Sequence, residues 1–191
     1  METSQRSATI GRMDDQSMHD AFVELHGERL HGFALLVTLG DRSLAGMLTA
    51  EALARGTERI GQLRHPERAA AWLRATLTGA ARGRAWGHRR PTEPERREAL
   101  LTLGVDPATF DALASLDVRG RAAVAAATVE GFAPADVHEI VGSDARVRRA
   151  RQDYLTAYVA ASRARDTKPP TGALTAKVQA TAAPVLSGSG Q

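Results

Sequence analysis

The chain has 191 residues, enough for one ordinary domain or two small ones. Apolar residues make up 43% of it but aromatics only 4%, so the core must be built from Ala, Leu and Val, a mixture that suits helices better than strands. Cysteine is absent, which excludes disulfides and thiolate metal sites, and the formal charge of +3 is too small to decide a partner by itself.

Residues 1–16 are polar, lack the apolar stretch of a signal peptide and are expected to be disordered. Ser17 then caps a helix whose apolar stripe is Phe22, Leu25, Leu30, Phe33, Leu36 and Val37, at spacings that define one buried face. Gly40-Asp41 breaks it and starts a second helix with Leu44, Leu48, Ala52 and Ile60 inward and Met47 at the flank. His65-Pro66 opens a third, because proline fits a first turn where its missing N–H costs nothing. Its stripe is Ala69, Trp72, Leu73, Thr76, Leu77 and Ala80, and it runs into a basic end with Arg82, Arg84, Arg89 and Arg90.

The charged, proline-bearing stretch 91–106 reads as a linker, with a short helix over Arg96 to Leu103. Asp106-Pro107 starts a helix carrying Phe110, Leu113 and Leu116, an Ala-rich helix covers Val118 to Val129, and Gly131 stops it. A helix from Pro134 to Val141 ends at Gly142, which can take the left-handed capping conformation. Ser143 or Asp144 caps the last helix, with Val147, Ala150, Tyr154, Leu155 and Tyr158 inward. From 165 to 191 there is no periodicity and there are several breakers, so a disordered tail is expected. The fold class is therefore all-α, with helical domains at 17–90 and 107–164. No run of eighteen apolar residues exists to span a membrane, and a cytoplasmic location is expected.

Two short helices around Gly142, the second carrying Arg146, Arg148, Arg149 and Arg151 near its N-terminal end, form the pattern of a helix-turn-helix. Such a second helix enters the major groove N-terminus first, where those arginines would meet base edges or phosphates. An ordinary helical hairpin with a solvated arginine face fits the same residues. Trp72 lies on an apolar stripe and belongs to the core; Trp86, among arginines, is the tryptophan placed to meet nucleic acid. Of the six histidines, His26 and His31 share a helix but stand five apart, without an acidic third ligand, so no metal site is expected. No phosphate-binding glycine loop, nucleophile elbow or carboxylate pair supports an enzymatic reading, and no cofactor is implied.

The order of these segments resembles the extracytoplasmic-function sigma factors, the small bacterial factors that bring RNA polymerase to promoters. Phe33-Ala34, Gly40-Asp41, Leu48, Glu51, Arg55, Ala71-Trp72-Leu73 and Arg89-Arg90 carry the first match. Leu116, Arg121, Glu130-Gly131, Val137 and Ile140 to Gly142 carry the second. The resemblance implies a region 2-like bundle of three to four helices, a linker and a region 4-like helix-turn-helix. It implies that Met47, Leu48, Glu51 and Arg55 bind core RNA polymerase. Arg82, Arg84, Trp86, His88, Arg89 and Arg90 would meet promoter DNA from the first domain, and Arg146, Arg148, Arg149 and Arg151 from the second. The protein would not itself be an enzyme, and an anti-sigma factor or other regulatory protein would be a further partner. The departures fall at the expected interfaces. Gly46, Met47 and Ala50 replace polar residues of the polymerase-binding helix, and Gly79 and Gly83 replace those of the melting surface. A sigma-like regulator that has lost initiation and binds a protein partner or DNA is therefore the alternative.

Overall fold

The computed structural model describes residues 2–63, 65–84 and 91–165, with side chains from residue 17 onward except Pro66. Every regular element among them is helical: α1 (Glu2–Val37), α2 (Arg42–Thr57), α3 (Pro66–Gly83), α4 (Glu93–Leu101), α5 (Pro107–Ala114), α6 (Val118–Val124), a π-helical turn (Ala125–Val129), α7 (Pro134–Val141) and α8 (Asp144–Ala164). None of these helices is long and apolar enough to cross a membrane.

Helix α1 begins fifteen residues earlier than its apolar stripe requires, so the expected Ser17 start lies inside a helix. Residues 2–16 contain no proline, and each residue added to an existing helix gains a backbone hydrogen bond without a new nucleation cost. Along the stripe, Phe22, Leu30, Phe33, Leu36 and Val37 are buried as expected, but Leu25 is exposed. His26 is buried instead, edge-on to the Phe22 ring with centroids 4.7 Å apart. Burial and then the charge of Arg74 hold its pKa below the ordinary histidine value.

The α1–α2 turn explains Gly40-Asp41. Gly40 has φ +81°, and a Cβ there would strike the main-chain carbonyl of Arg96, so α4 closes directly onto this turn. Asp41 caps α2 by accepting the Leu44 N–H at 2.9 Å. Residues 91–106, expected as a linker with a short helix over Arg96 to Leu103, carry that helix from Glu93 to Leu101, packed against its neighbours. Ala99 and Leu100 of α4 are buried, and Arg97 donates to Asp111 of α5 at 2.5 Å.

One continuous hydrophobic core joins the two halves of the chain, from Phe22 on α1 to Tyr158 on α8. Helix α3 packs on α7 and α6, and α1 packs on α6. At the centre of this junction Arg74 of α3, only 3% exposed, makes a two-pronged ion pair with Glu130, which follows the π-helical turn. The guanidinium lies over two rings, 5.5 Å from the centroid of Phe33 and 5.0 Å from that of Phe132. The expected single helix over Val118 to Val129 is divided by that turn, whose end is bonded through Glu130 N–H to Ala125 O at 3.0 Å. Arg121 ties the same junction from α6, donating from Nε to the Val37 carbonyl at the end of α1 at 2.7 Å and from Nη1 to Leu116 O at 2.6 Å.

Removing one member of a buried ion pair strands the other without compensation. Arg74→Met should therefore lower the unfolding free energy by about 3 kcal/mol or more, and adding Glu130→Met should recover much of it. Urea denaturation of the two variants checks this; equal stability of Arg74→Met and the parent chain would contradict it.

Candidate nucleic-acid interface

Helices α7 and α8, at the place of the expected helix-turn-helix, are joined around one backbone feature. Gly142 has φ +82°, and its N–H donates to the His138 carbonyl at 2.7 Å, ending α7 in a left-handed cap. Ser143 is extended and leads into α8, whose first-turn Asp144 lies 3.2 Å from Nδ1 of His138. The core-facing residues of α8 are as the periodicity indicates. Ala150, Tyr154 and Tyr158 are buried, Val147 packs against them partly buried, and the two tyrosine rings stack 6.2 Å apart.

The arginines of α8 divide into two kinds. Arg148 and Arg149 are exposed, and Arg149 has a loose contact with Asp153 at 3.5 Å. Arg146 and Arg151 are half-buried, with Nε atoms shielded from solvent and without a hydrogen-bond partner. Burial holds the Arg151 pKa below the ordinary arginine value. Only the first two are fully presented for contact.

The basic end of α3 is divided as well. Arg82 is exposed, whereas Arg84 is ion-paired to Glu51 of α2, which also accepts from Arg55 at 2.7 Å. The Arg84 hydrogen bond, opposed by slight burial and helped by the charges of Arg84 and Arg55, holds the Glu51 carboxyl below its usual range. Trp86, His88, Arg89 and Arg90 lie outside the described residues, as do residues 166–191 of the expected tail.

Of the side chains expected to meet polymerase, Met47 and Arg55 are exposed and Glu51 is half-buried in its ion pairs. Leu48 is not available: it is fully buried in the core, one turn from Ala45 and Ala52 on the inner face of α2. Its apolar character serves packing, and a charge placed there would test folding rather than docking.

Arg119, on the first turn of α6, was not among the expected residues. Lost hydration first, and then the charges of Arg82 and Arg146, push its pKa below the ordinary value, with Asp117 opposing. Arg82 ends α3 and Arg146 begins α8, a long-range influence that separate periodicities cannot reveal. No group of three histidine, aspartate or glutamate side chains among the described residues could hold a metal ion. Compared with known proteins, the chain matches no family model, no curated protein and no solved structure.

The geometry of the turn rests on Gly142. A Cβ at that position would meet open space, so the cost of Gly142→Ala comes from the left-handed backbone alone. The substitution should destabilise the chain by about 1–2 kcal/mol, and Gly142→Asn by less, because asparagine tolerates this conformation. Denaturation midpoints of the three proteins check the order; a neutral alanine variant would contradict it.

Proposed function

We propose that this chain is a divergent sigma-like transcription factor of the extracytoplasmic-function type, docking on core RNA polymerase through α2 and meeting promoter DNA through α8 and the basic end of α3. The observation that carries the proposal is α8, which follows a glycine-capped turn and buries Ala150 and Tyr154 while presenting Arg148 and Arg149 to solvent. The segments that resemble the family add to this reading: the Gly40-Asp41 turn, the Glu51 helix and the Glu130-Gly131 corner stand in the family's order. Promoter recognition and initiation would then be shared with polymerase, which supplies the chemistry.

One feature favours a second reading. Glu51 and Arg84, expected at two different interfaces, are ion-paired to one another. A sigma-like regulator that no longer directs initiation, and acts by binding DNA or a protein partner, fits that internal engagement.

Two measurements test the proposal. Tagged protein recovered from a native lysate should carry polymerase subunits, and Met47→Glu, an exposed site, should reduce that recovery at unchanged thermal stability. Recovery without polymerase, while the protein still binds duplex DNA, would move the assignment to the second reading. For the nucleic-acid arm, replacing Arg148 and Arg149 by alanine should reduce the slope of log K against log salt by about 1.8, at roughly 0.9 for each phosphate no longer neutralised. An unchanged affinity and slope would remove α8 from the interface.

A further inference from the structure

A cavity of about 310 Å³ lies where the first and second halves of the chain meet, walled by the end of α1, the α1–α2 turn, α4 and α6. Three arginines line it, Arg84, Arg96 and Arg121, against one carboxylate, Asp41; the remaining wall is mostly apolar, as at Val37 and Leu44. The carboxylate is already in use, since its Oδ1 caps α2 through the Leu44 N–H. Arg84 is turned to Glu51. Neither Arg96 nor Arg121 has an ion-pair partner among the described residues. Arg121 spends Nε and Nη1 on two main-chain carbonyls, and the Arg96 guanidinium stacks over the Phe110 ring at 5.8 Å. The Nε of Arg96 is shielded from solvent with no hydrogen-bond partner at all.

Two half-buried guanidinium groups beside one another, neither with an ion pair of its own among the described residues, are costly to keep. Burial pushes the pKa of Arg121 down to about 10, with Asp117 opposing and the neighbouring Arg96 charge acting in the same direction as burial. Buried Arg74 is matched by Glu130, and half-buried Arg97 by Glu93 and Asp111. Arg146 and Arg151 of α8, like Arg96, keep a shielded Nε without an acceptor. The cavity differs in bringing guanidinium groups together around one space. Its volume is within the range of small-molecule sites, which begins near about 300 Å³. An oxyanion there would supply the two guanidinium groups with a counter-charge, and guanidinium groups bind tetrahedral phosphoryl oxygens through paired, charge-assisted hydrogen bonds.

From this juxtaposition we infer that the cavity is a binding site for the phosphoryl group of a small phosphorylated molecule, held by Arg96 and Arg121. The apolar wall takes the organic part. An occupant touches α1, α4 and α6 at once, and so resists separation of the two halves. The inference is independent of the transcriptional role proposed above and neither requires nor excludes it.

Titration calorimetry on the full chain tests it, with glycerol 3-phosphate and inorganic phosphate as probes and potassium chloride at matched ionic strength as the control. Saturable one-to-one binding of a phosphate probe is expected, absent with chloride. Tighter binding of glycerol 3-phosphate assigns the site to an ester, and equal binding assigns it to the free ion. Arg96→Met should weaken the binding about tenfold or more, the loss of a charge-assisted hydrogen bond. The same variant should melt at or above the temperature of the parent chain in phosphate-free buffer, because it removes an unmatched buried charge. Arg121 also supports the fold through its carbonyl contacts, so Arg96 is the informative position. No saturable binding of either phosphate probe would overturn the inference, as would phosphate affinity unchanged by Arg96→Met.

Discussion

The ion pair between Arg74 and Glu130 is the constraint on which the arrangement of this protein depends. It joins residues fifty-six positions apart, one on α3 and one just past the π-helical turn, with the guanidinium buried and the carboxylate partly so. Two charges in such a place are tolerated only together. The guanidinium also lies over the rings of Phe33 and Phe132, and donates from Nη1 to the main-chain carbonyl of Ala70 at 3.0 Å. Around this point the shared core closes, and α3 comes to lie on α6 and α7.

That closure determines what each basic segment can do. With α3 on α6, the charges of Arg82 and Arg146 both act to lower the pKa of Arg119. Packing also withdraws some of the expected contacts. Leu48 enters the core, Arg84 turns to Glu51, and Arg146 and Arg151 lie partly against the protein. What remains outward on α8 is Arg148 and Arg149, carried on a helix whose opposite face is anchored by the stacked tyrosines.

Much of the helical framework was legible from spacing and capping residues. The starts at Asp41, Pro66, Pro107 and Pro134, the stop at Gly142 and the inner face of α8 each rest on chemistry local to a few residues, and the structure agrees with all of them. Long-range pairing was not legible. Arg74 sits beside Leu73 on a helix that also carries Arg68 and Arg82, and only the distant Glu130 distinguishes it from a solvated one. The stretch 91–106 shows the same limit: a short helix is expected there over Arg96 to Leu103, but its packing is not, and Glu95, bonding back to the Thr92 N–H at 2.6 Å, belongs to a helix that starts three residues earlier and that α1 and α5 cover. Leu48 and Met47 are neighbours in the sequence and equally apolar, and only the packing of α2 separates the buried one from the exposed one.

Whether the halves unfold as one cooperative body can be read with the chain's own chromophores. Both tryptophans, Trp72 and Trp86, belong to the first half, and both tyrosines, Tyr154 and Tyr158, to α8. Urea unfolding followed by tryptophan fluorescence and, on the same samples, by the tyrosine absorbance band should give coincident transitions with one midpoint. Two separated midpoints in the unaltered protein would contradict the account, because the halves would then unfold without reference to the charge pair between them.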